Sequence, residues 1–162
     1  MTNEITPTDV LREEHQSVLQ KLDLLEEIIG HLAEKEKISG QLKELASFFK
    51  QDFWTHFAKE ENALFPELEK FIPREAGPIA VMLMEHDDLR RTNEELQPAI
   101  NEYLGSADSL SAKELIERHG SHFISILRDH IAKENDILFM MAEIHLDQAQ
   151  IDKVTKLFHE IE

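Results

Sequence analysis

Cysteine is missing from all 162 residues. That absence excludes a disulfide framework, thiolate zinc sites, cysteine-ligated iron–sulfur clusters and a cysteine nucleophile. Positive charge is scarce: 17 Lys and Arg stand against 33 Asp and Glu, for a formal net charge of −16. A chain this acidic repels phosphate backbones and anionic lipid headgroups, so neither nucleic acid nor a membrane surface is expected as a partner. No apolar run approaches the ~20 residues that span a bilayer. The polar opening Met1–Thr8 does not read as a signal peptide, and the expected location is cytoplasmic. Glycine and proline number only five each, and no strand-like alternation occurs.

What is present is helical periodicity. With 41 % hydrophobic and 31 % charged residues the chain is globular rather than disordered. Its length predicts one domain over 1–162, with a bundle over about 7–145 and a C-terminal helix over about 147–161. Thr6-Pro7-Thr8-Asp9 reads as a helix start, with a cap, a proline and an acid in the first turn. The first helix is expected to fray near Gly30 or over Glu34–Lys37. A second helix is expected from about Ser39-Gly40 to Phe71, with Pro66 kinking it or ending its regular part. Ile72-Pro73 and Gly77-Pro78 mark the midpoint turn. A third helix runs from Pro78 to Leu104 with a kink at Pro98, closed by Gly105 and Ser106. Ser111-Ala-Lys-Glu114 predicts a capping box opening a fourth helix that reaches His145. Asp147-Gln-Ala-Gln150 caps a short amphipathic fifth. The fold class is all-α: an up-down-up-down four-helix bundle with a short C-terminal fifth helix.

One repeat dominates the sequence. His56-Phe-Ala-Lys-Glu60-Glu-Asn-Ala-Leu-Phe65 aligns with His130-Ile-Ala-Lys-Glu134-Asn-Asp-Ile-Leu-Phe139, and six of the ten positions are identical. The preceding helices echo each other too, with Glu14-His15 matching Glu85-His86. Chance alone supplies about one His-x-x-x-Glu match in a chain of this composition, but not a pair inside a ten-residue repeat. Residues i and i+4 share a helix face about 6 Å apart, so a histidine can bind one metal while the glutamate spans that metal and a second. His56 and His130 lie on apolar stripes, where a glutamate is costly unless a cation compensates its charge. Two hairpins packed about a pseudo-two-fold axis would aim His15, His56, Glu60, His86, His130 and Glu134 at one place. Imidazole and carboxylate donors without thiolate suit iron first, then manganese, with zinc compatible. Positions left over would accept water, hydroxide, dioxygen or another small ligand.

At these residues the chain resembles the hemerythrin-like, or HHE cation-binding, family. The motifs are Asp9-Val-Leu-Arg-Glu-Glu-His15, His56 through Pro66, Met84-Glu-His86-Asp-Asp-Leu-Arg90, and His130 through Phe139. The resemblance implies a four-helix bundle holding a non-haem di-iron centre, two iron ions with an oxo or hydroxo bridge. It implies His15, His56, His86 and His130 as terminal ligands, and Glu60 and Glu134 as bridging carboxylates. The implied function is binding or sensing of dioxygen, iron or redox state, with a diatomic ligand such as dioxygen or nitric oxide as partner. One branch repairs iron–sulfur clusters, and a di-iron enzyme reducing nitric oxide or peroxide is the alternative. A metal-free helical interaction module is the second alternative. Arg90 stands where the oxygen carriers place a fifth histidine, and Glu134 replaces their aspartate five residues on. The pattern is therefore closer to the six-ligand sensor-like and repair-like members, although the repair branch's cysteine has no counterpart here. No catalytic residue is expected outside the metal site, and both monomer and homodimer stay open.

The remaining histidines read otherwise. His122 is rotated roughly 80° from His130, and His119 lies about 16 Å along the same helix, so both are expected as hydrogen-bonded or surface groups. His31, His145 and His159 fall near helix ends and should face solvent. Glu61 and Glu85 are expected to support the ligands or lie on the surface, and Arg90 to form a surface salt bridge. Phe48, Phe49, Phe53, Phe57, Phe65, Phe71, Phe123, Phe139 and Trp54 are expected in the core, some of them walling the metals from water.

Overall fold

A computed structural model describes residues 5–105 and 109–162, and among these no strand occurs. Five helices follow one another: α1 (Pro7–Ile29), α2 (residues 35–68), α3 (Pro78–Gly105), α4 (residues 110–145) and α5 (Gln148–Ile161). The first four form the all-α bundle anticipated from the periodicity. Helix α1 packs against α4, α2 against α3, and α3 most extensively against α4, while α5 lies across α1 and the middle of α2.

Local chemistry sets two of the helix starts as expected. Thr6 Oγ1 accepts from the Asp9 amide at 3.2 Å while the Asp9 carboxylate accepts from the Thr6 amide at 3.1 Å. Asp147 and Gln150 make the same reciprocal box at α5, at 2.8 and 3.1 Å. Two other starts are corrected. Helix α2 begins at Lys35, ahead of Ser39, without any side-chain cap at Glu34. Ser39 instead turns its hydroxyl back to donate to the Lys35 carbonyl at 2.6 Å, an interior i→i−4 bond. Burial of Leu32 and Ile38 draws this uncapped turn into the bundle. At α4 the cap is Ser109, which accepts from the Ala112 amide at 3.1 Å, so the box expected at Ser111 does not form. Ser106, anticipated as closing α3, lies outside the described residues. Gly77 takes φ 82°, a conformation that L side chains rarely adopt, and so turns the chain into Pro78.

Helix α2 stops at Leu68 rather than Phe71, and Pro66 falls in its last α-helical turn, Phe65–Leu68. The hydrogen-bonded helix α3 continues on both sides of Pro98. Three wide π turns interrupt the long helices: Phe48–Asp52 and Glu60–Leu64 in α2, and Glu134–Leu138 in α4. The first turns the Phe49 carbonyl to side chains, where Trp54 Nε1 donates at 2.8 Å and Asn93 Nδ2 at 3.0 Å. The other two begin on Glu60 and Glu134, the same place in both copies of the repeat.

The core is divided in two. One apolar cluster gathers Val18, Leu22, Phe53, Phe57, Leu89, Leu127 and Ile131 with their neighbours. The other gathers Leu11, Leu64, Phe65, Met82, Leu138 and Phe139, with Val154 and Phe158 from α5. On α1 and α3 the switch from one cluster to the other occurs at His15 and His86, and on α2 and α4 it occurs at Glu60 and Glu134, one turn past His56 and His130. A layer of polar side chains therefore crosses the bundle between two apolar plugs. Far from that layer, in the first cluster, Gly120 lets α4 approach the C-terminal end of α1, since a Cβ would sit 2.6 Å from Ile29 Cδ1. Among the described residues no helix is long and apolar enough to cross a membrane.

Candidate metal centre

The polar layer contains the six residues singled out by the repeat. His15 comes from α1, His56 and Glu60 from α2, His86 from α3, and His130 and Glu134 from α4. All are buried, with His56 the most accessible at 5 %. They form two overlapping groups of donors: His15, His56, Glu60 and Glu134, and Glu60, His86, His130 and Glu134. Within each group the donor atoms lie within 4.8 Å of one another, and the two glutamates belong to both. His15 and His56 bring their Nε2 atoms to 2.9 Å, and His86 and His130 theirs to 3.1 Å.

Hydrogen bonds on the outer side of each ring explain why the Nε2 atoms face inward. His56 Nδ1 donates to Glu14 at 2.8 Å, His86 Nδ1 to Glu61 at 2.6 Å, and His130 Nδ1 to Glu85 at 2.9 Å. His15 Nδ1 donates to Asn135 Oδ1 at 2.8 Å. A carboxylate only accepts, so three of the rings must carry their proton on Nδ1 and turn the Nε2 lone pair to the cage. Lys59 and Lys133 in turn hold Glu14 and Glu85, each at 2.6 Å. Glu14 and Lys59 match Glu85 and Lys133 in the repeat, so the supporting frame is itself duplicated.

The interior is consequently rich in acceptors and poor in donors. All four carboxylate oxygens of Glu60 and Glu134 are buried without a hydrogen-bond partner. His15 and His130 bring ring nitrogens to 3.1 and 3.2 Å from Glu134 Oε1, and His86 brings one to 3.3 Å from Glu60 Oε1. Orphaned buried carboxylates are rare because each costs its full desolvation. Without a cation, the cage recruits protons. Burial, reinforced by the charge of Glu134, drives Glu60 well above the usual carboxylate range. Burial also opposes the charge of Glu134, but the cationic ring of His130 outweighs it and holds Glu134 well below that range. For His130 burial is likewise outweighed, chiefly by Glu134, and its pKa is pushed up to about 9. Burial dominates at His56 and His86 and lowers both. A dication shared by these groups would replace the protons and satisfy the four oxygens at once. The residues present therefore fit a dinuclear metal centre with nitrogen and oxygen donors.

Aromatic rings close the cage. Phe57 stacks on His86 with centroids 3.7 Å apart, and Phe139 lies parallel to His15 at 5.2 Å. Phe49, Phe53, Phe65 and Phe123 are buried as expected, while Phe48 and Trp54 pack partly exposed on the first cluster. Phe71 departs from expectation: it is 47 % exposed and stacks on His145, because α2 has already ended and Ile72 takes the inward position. His119 and His122 stay outside the cage, beside Glu95 and Asp88. His31, His145 and His159 are exposed. Arg90 does form a surface salt bridge, to Asp87 at 3.2 Å, and a second one, at 2.7 Å, to Glu61, the carboxylate behind His86. Sequence reasoning assigned no role to Glu14, Lys59, Lys133 or Asn135. The Glu-His pair and the His-x-x-Lys spacing, each present in both halves, were the available signals.

A family model described as the hemerythrin HHE cation binding domain matches residues 6–142. Among curated relatives, an iron-sulfur cluster repair protein YtfE of Musicola paradisiaca is 29 % identical over 144 residues, 86 % of this chain and 65 % of that protein. The YtfE protein of Enterobacter sp. (strain 638) is 29 % identical over 111 residues, 68 % of this chain and 50 % of its own length. That of Escherichia coli (strain K12 / DH10B) is 28 % identical over 111 residues, again 68 % and 50 %. The chain thus spans between half and just under two thirds of the length of these relatives.

Proposed function

We propose, from the premise that this chain belongs to the hemerythrin HHE cation-binding domain family, that its cage holds two iron ions and serves to bind or sense dioxygen, iron or redox state. The observation that carries this reading is the set of four buried carboxylate oxygens without hydrogen-bond partners, faced by imidazole nitrogens. His15 and His56 would hold one ion and His86 and His130 the other, with Glu60 and Glu134 shared between them. Iron supplies one-electron chemistry and coordination positions for a small ligand when bound. The protein's own part is to fix the rings through Glu14, Glu61, Glu85 and Asn135, and to keep bulk water out with Phe57 and Phe139. Eight protein donor atoms leave part of the coordination of two six-coordinate ions open to a diatomic ligand.

A second reading, a di-iron enzyme acting in iron–sulfur cluster repair or on nitric oxide or peroxide, is favoured by one observation: the relatives above are named for cluster repair.

Metal analysis of freshly purified protein tests the main reading. About two irons per chain are expected, with near-ultraviolet charge-transfer absorption after aerobic oxidation. Added ferrous iron should raise thermal stability, by about 4 kcal/mol at a thousandfold excess over the dissociation constant. The double variant Glu60→Ala, Glu134→Ala should lose that stabilisation while its metal-free form is at least as stable as the parent. Protein that takes up no metal, or a double variant that keeps the metal response, overturns the reading. Nitric oxide or peroxide consumed over many turnovers, rather than bound stoichiometrically, decides for the enzyme.

A further inference from the structure

The duplicated frame around the cage is broken at one pair of positions. Glu61 and Asn135 each follow a shared glutamate and occupy matching places in the repeat. Glu61 Oε2 accepts from His86 Nδ1 at 2.6 Å, whereas Asn135 Oδ1 accepts from His15 Nδ1 at 2.8 Å. Arg90 steadies Glu61 through a 2.7 Å bond and lies over the Phe57 ring, while the matching residue on α1 is Leu19. The remaining contacts to the rings are the same in both halves, Glu14 with His56 and Lys59 and Glu85 with His130 and Lys133, although Lys59 also pairs with Glu162 at the end of α5.

The difference is chemical as well as geometric. A carboxylate that accepts an imidazole Nδ1–H pulls the ring toward imidazolate and makes Nε2 a stronger donor. A neutral amide oxygen does this far less. The His86–His130 side has two carboxylate-backed rings, and the His15–His56 side has one. Shape does not offset this, because the ring pairs are almost equally spaced, at 3.1 and 2.9 Å.

We infer that the two metal positions are unequal: the one at His86 and His130 fills first and holds its ion more tightly, and Glu61 opposite Asn135 sets the difference. Glu61 and Asn135 are thus positioning residues that act through His86 and His15, and the inference rests on the metal-binding reading above. Changes to such outer partners typically cost 10–100-fold in metal affinity, which sets the expected size of the effect.

Cobalt(II) titration of the metal-free full chain, followed by calorimetry and visible absorption, tests it. Two ions are expected to bind in resolved steps. Repulsion between two dications also separates the steps, so variants must assign the cause. Glu61→Gln keeps the shape and removes the charge, and should weaken the tighter step about 10–100-fold while leaving the weaker one in place. Asn135→Asp should tighten only the weaker step. His15→Ala should retain the tight step and His86→Ala should lose it. Glu61→Gln with both steps unchanged, or with both weakened equally as a general structural effect would give, overturns the inference although two ions still bind. So does a His86→Ala variant that keeps the tight step. Wild-type protein that binds no cobalt refutes the metal-binding reading itself, and the inference falls with it.

Discussion

Lys59 Nζ lies 2.6 Å from Glu14 Oε2, and the other oxygen of that carboxylate receives the Nδ1 proton of His56 at 2.8 Å. A buried lysine on α2 thus fixes an acid on α1, and the acid fixes a ring on α2, one turn back along the same helix. The chain Lys59–Glu14–His56 ties two helices together at the edge of the cage. Its copy Lys133–Glu85–His130 ties α3 to α4. Orientation of the donor rings is therefore tied to helix packing through these contacts.

Glu14→Gln should weaken metal binding about 10–100-fold, because His56 loses the charge that fixes its tautomer and donor strength. Lys59→Met should act in the same direction but less, since Glu14 stays in place. Its metal-free stability should change by no more than about 1 kcal/mol, because Glu14 and Glu162, the partners of Lys59, are partly exposed. Chelator competition for affinity and urea unfolding for stability separate the two effects. Equal losses of stability and affinity in Glu14→Gln would assign the contact to folding alone.

Phe57 offers a different kind of test. Its ring lies 3.7 Å from that of His86 at an interplanar angle of 12°, and the side chain is 1 % exposed. Phe57→Ala should cost about 3–5 kcal/mol of stability by opening a cavity in the first apolar cluster. Phe57→Leu keeps most of the volume and should cost well under half of that. Both remove the stacked ring, so both should let chelator strip metal faster than from the parent. A Phe57→Leu protein that keeps parental metal loss would show that packing volume, and not the ring, shields the centre.

Much of this was legible in the sequence, for identifiable reasons. Caps at Thr6 and Asp147 are local chemistry, readable from four residues. The start at Lys35 has no cap and follows from burial of Leu32 and Ile38, which only the assembled bundle supplies. The six cage residues could be found because the repeat carries them twice at one-turn spacing. The π turns at Glu60 and Glu134 have no residue signature of their own. Asn135 and Lys59 stayed invisible because their partners sit on other helices, at separations of 120 and 45 residues. Phe71 was misplaced because its helix ends one turn earlier than the apolar pattern does.

The proton held by His130 makes a prediction whose sign can be worked out. In the folded, metal-free protein this ring keeps its proton to about 9, whereas in the unfolded chain it releases it near 6.5. Between those values the folded state binds more protons, so stability falls as pH rises. The contribution is fully present below the unfolded value and is lost through the folded one. Glu60, raised well above its usual range, acts in the same direction from 4.5 upward. His56 and His86, whose values are lowered, act in the opposite direction, but only below 6.5. Urea unfolding in the presence of chelator should therefore show a lower midpoint at about pH 9.5 than at about pH 7. Metal reverses the trend: binding expels the protons from His130 and Glu60, so apparent affinity rises with pH. Metal-loaded protein should hold its midpoint or gain over the same interval. Chelated protein that is as stable at the higher pH as at the lower would mean that His130 carries no extra proton, and that the cage does not use protons in place of a cation.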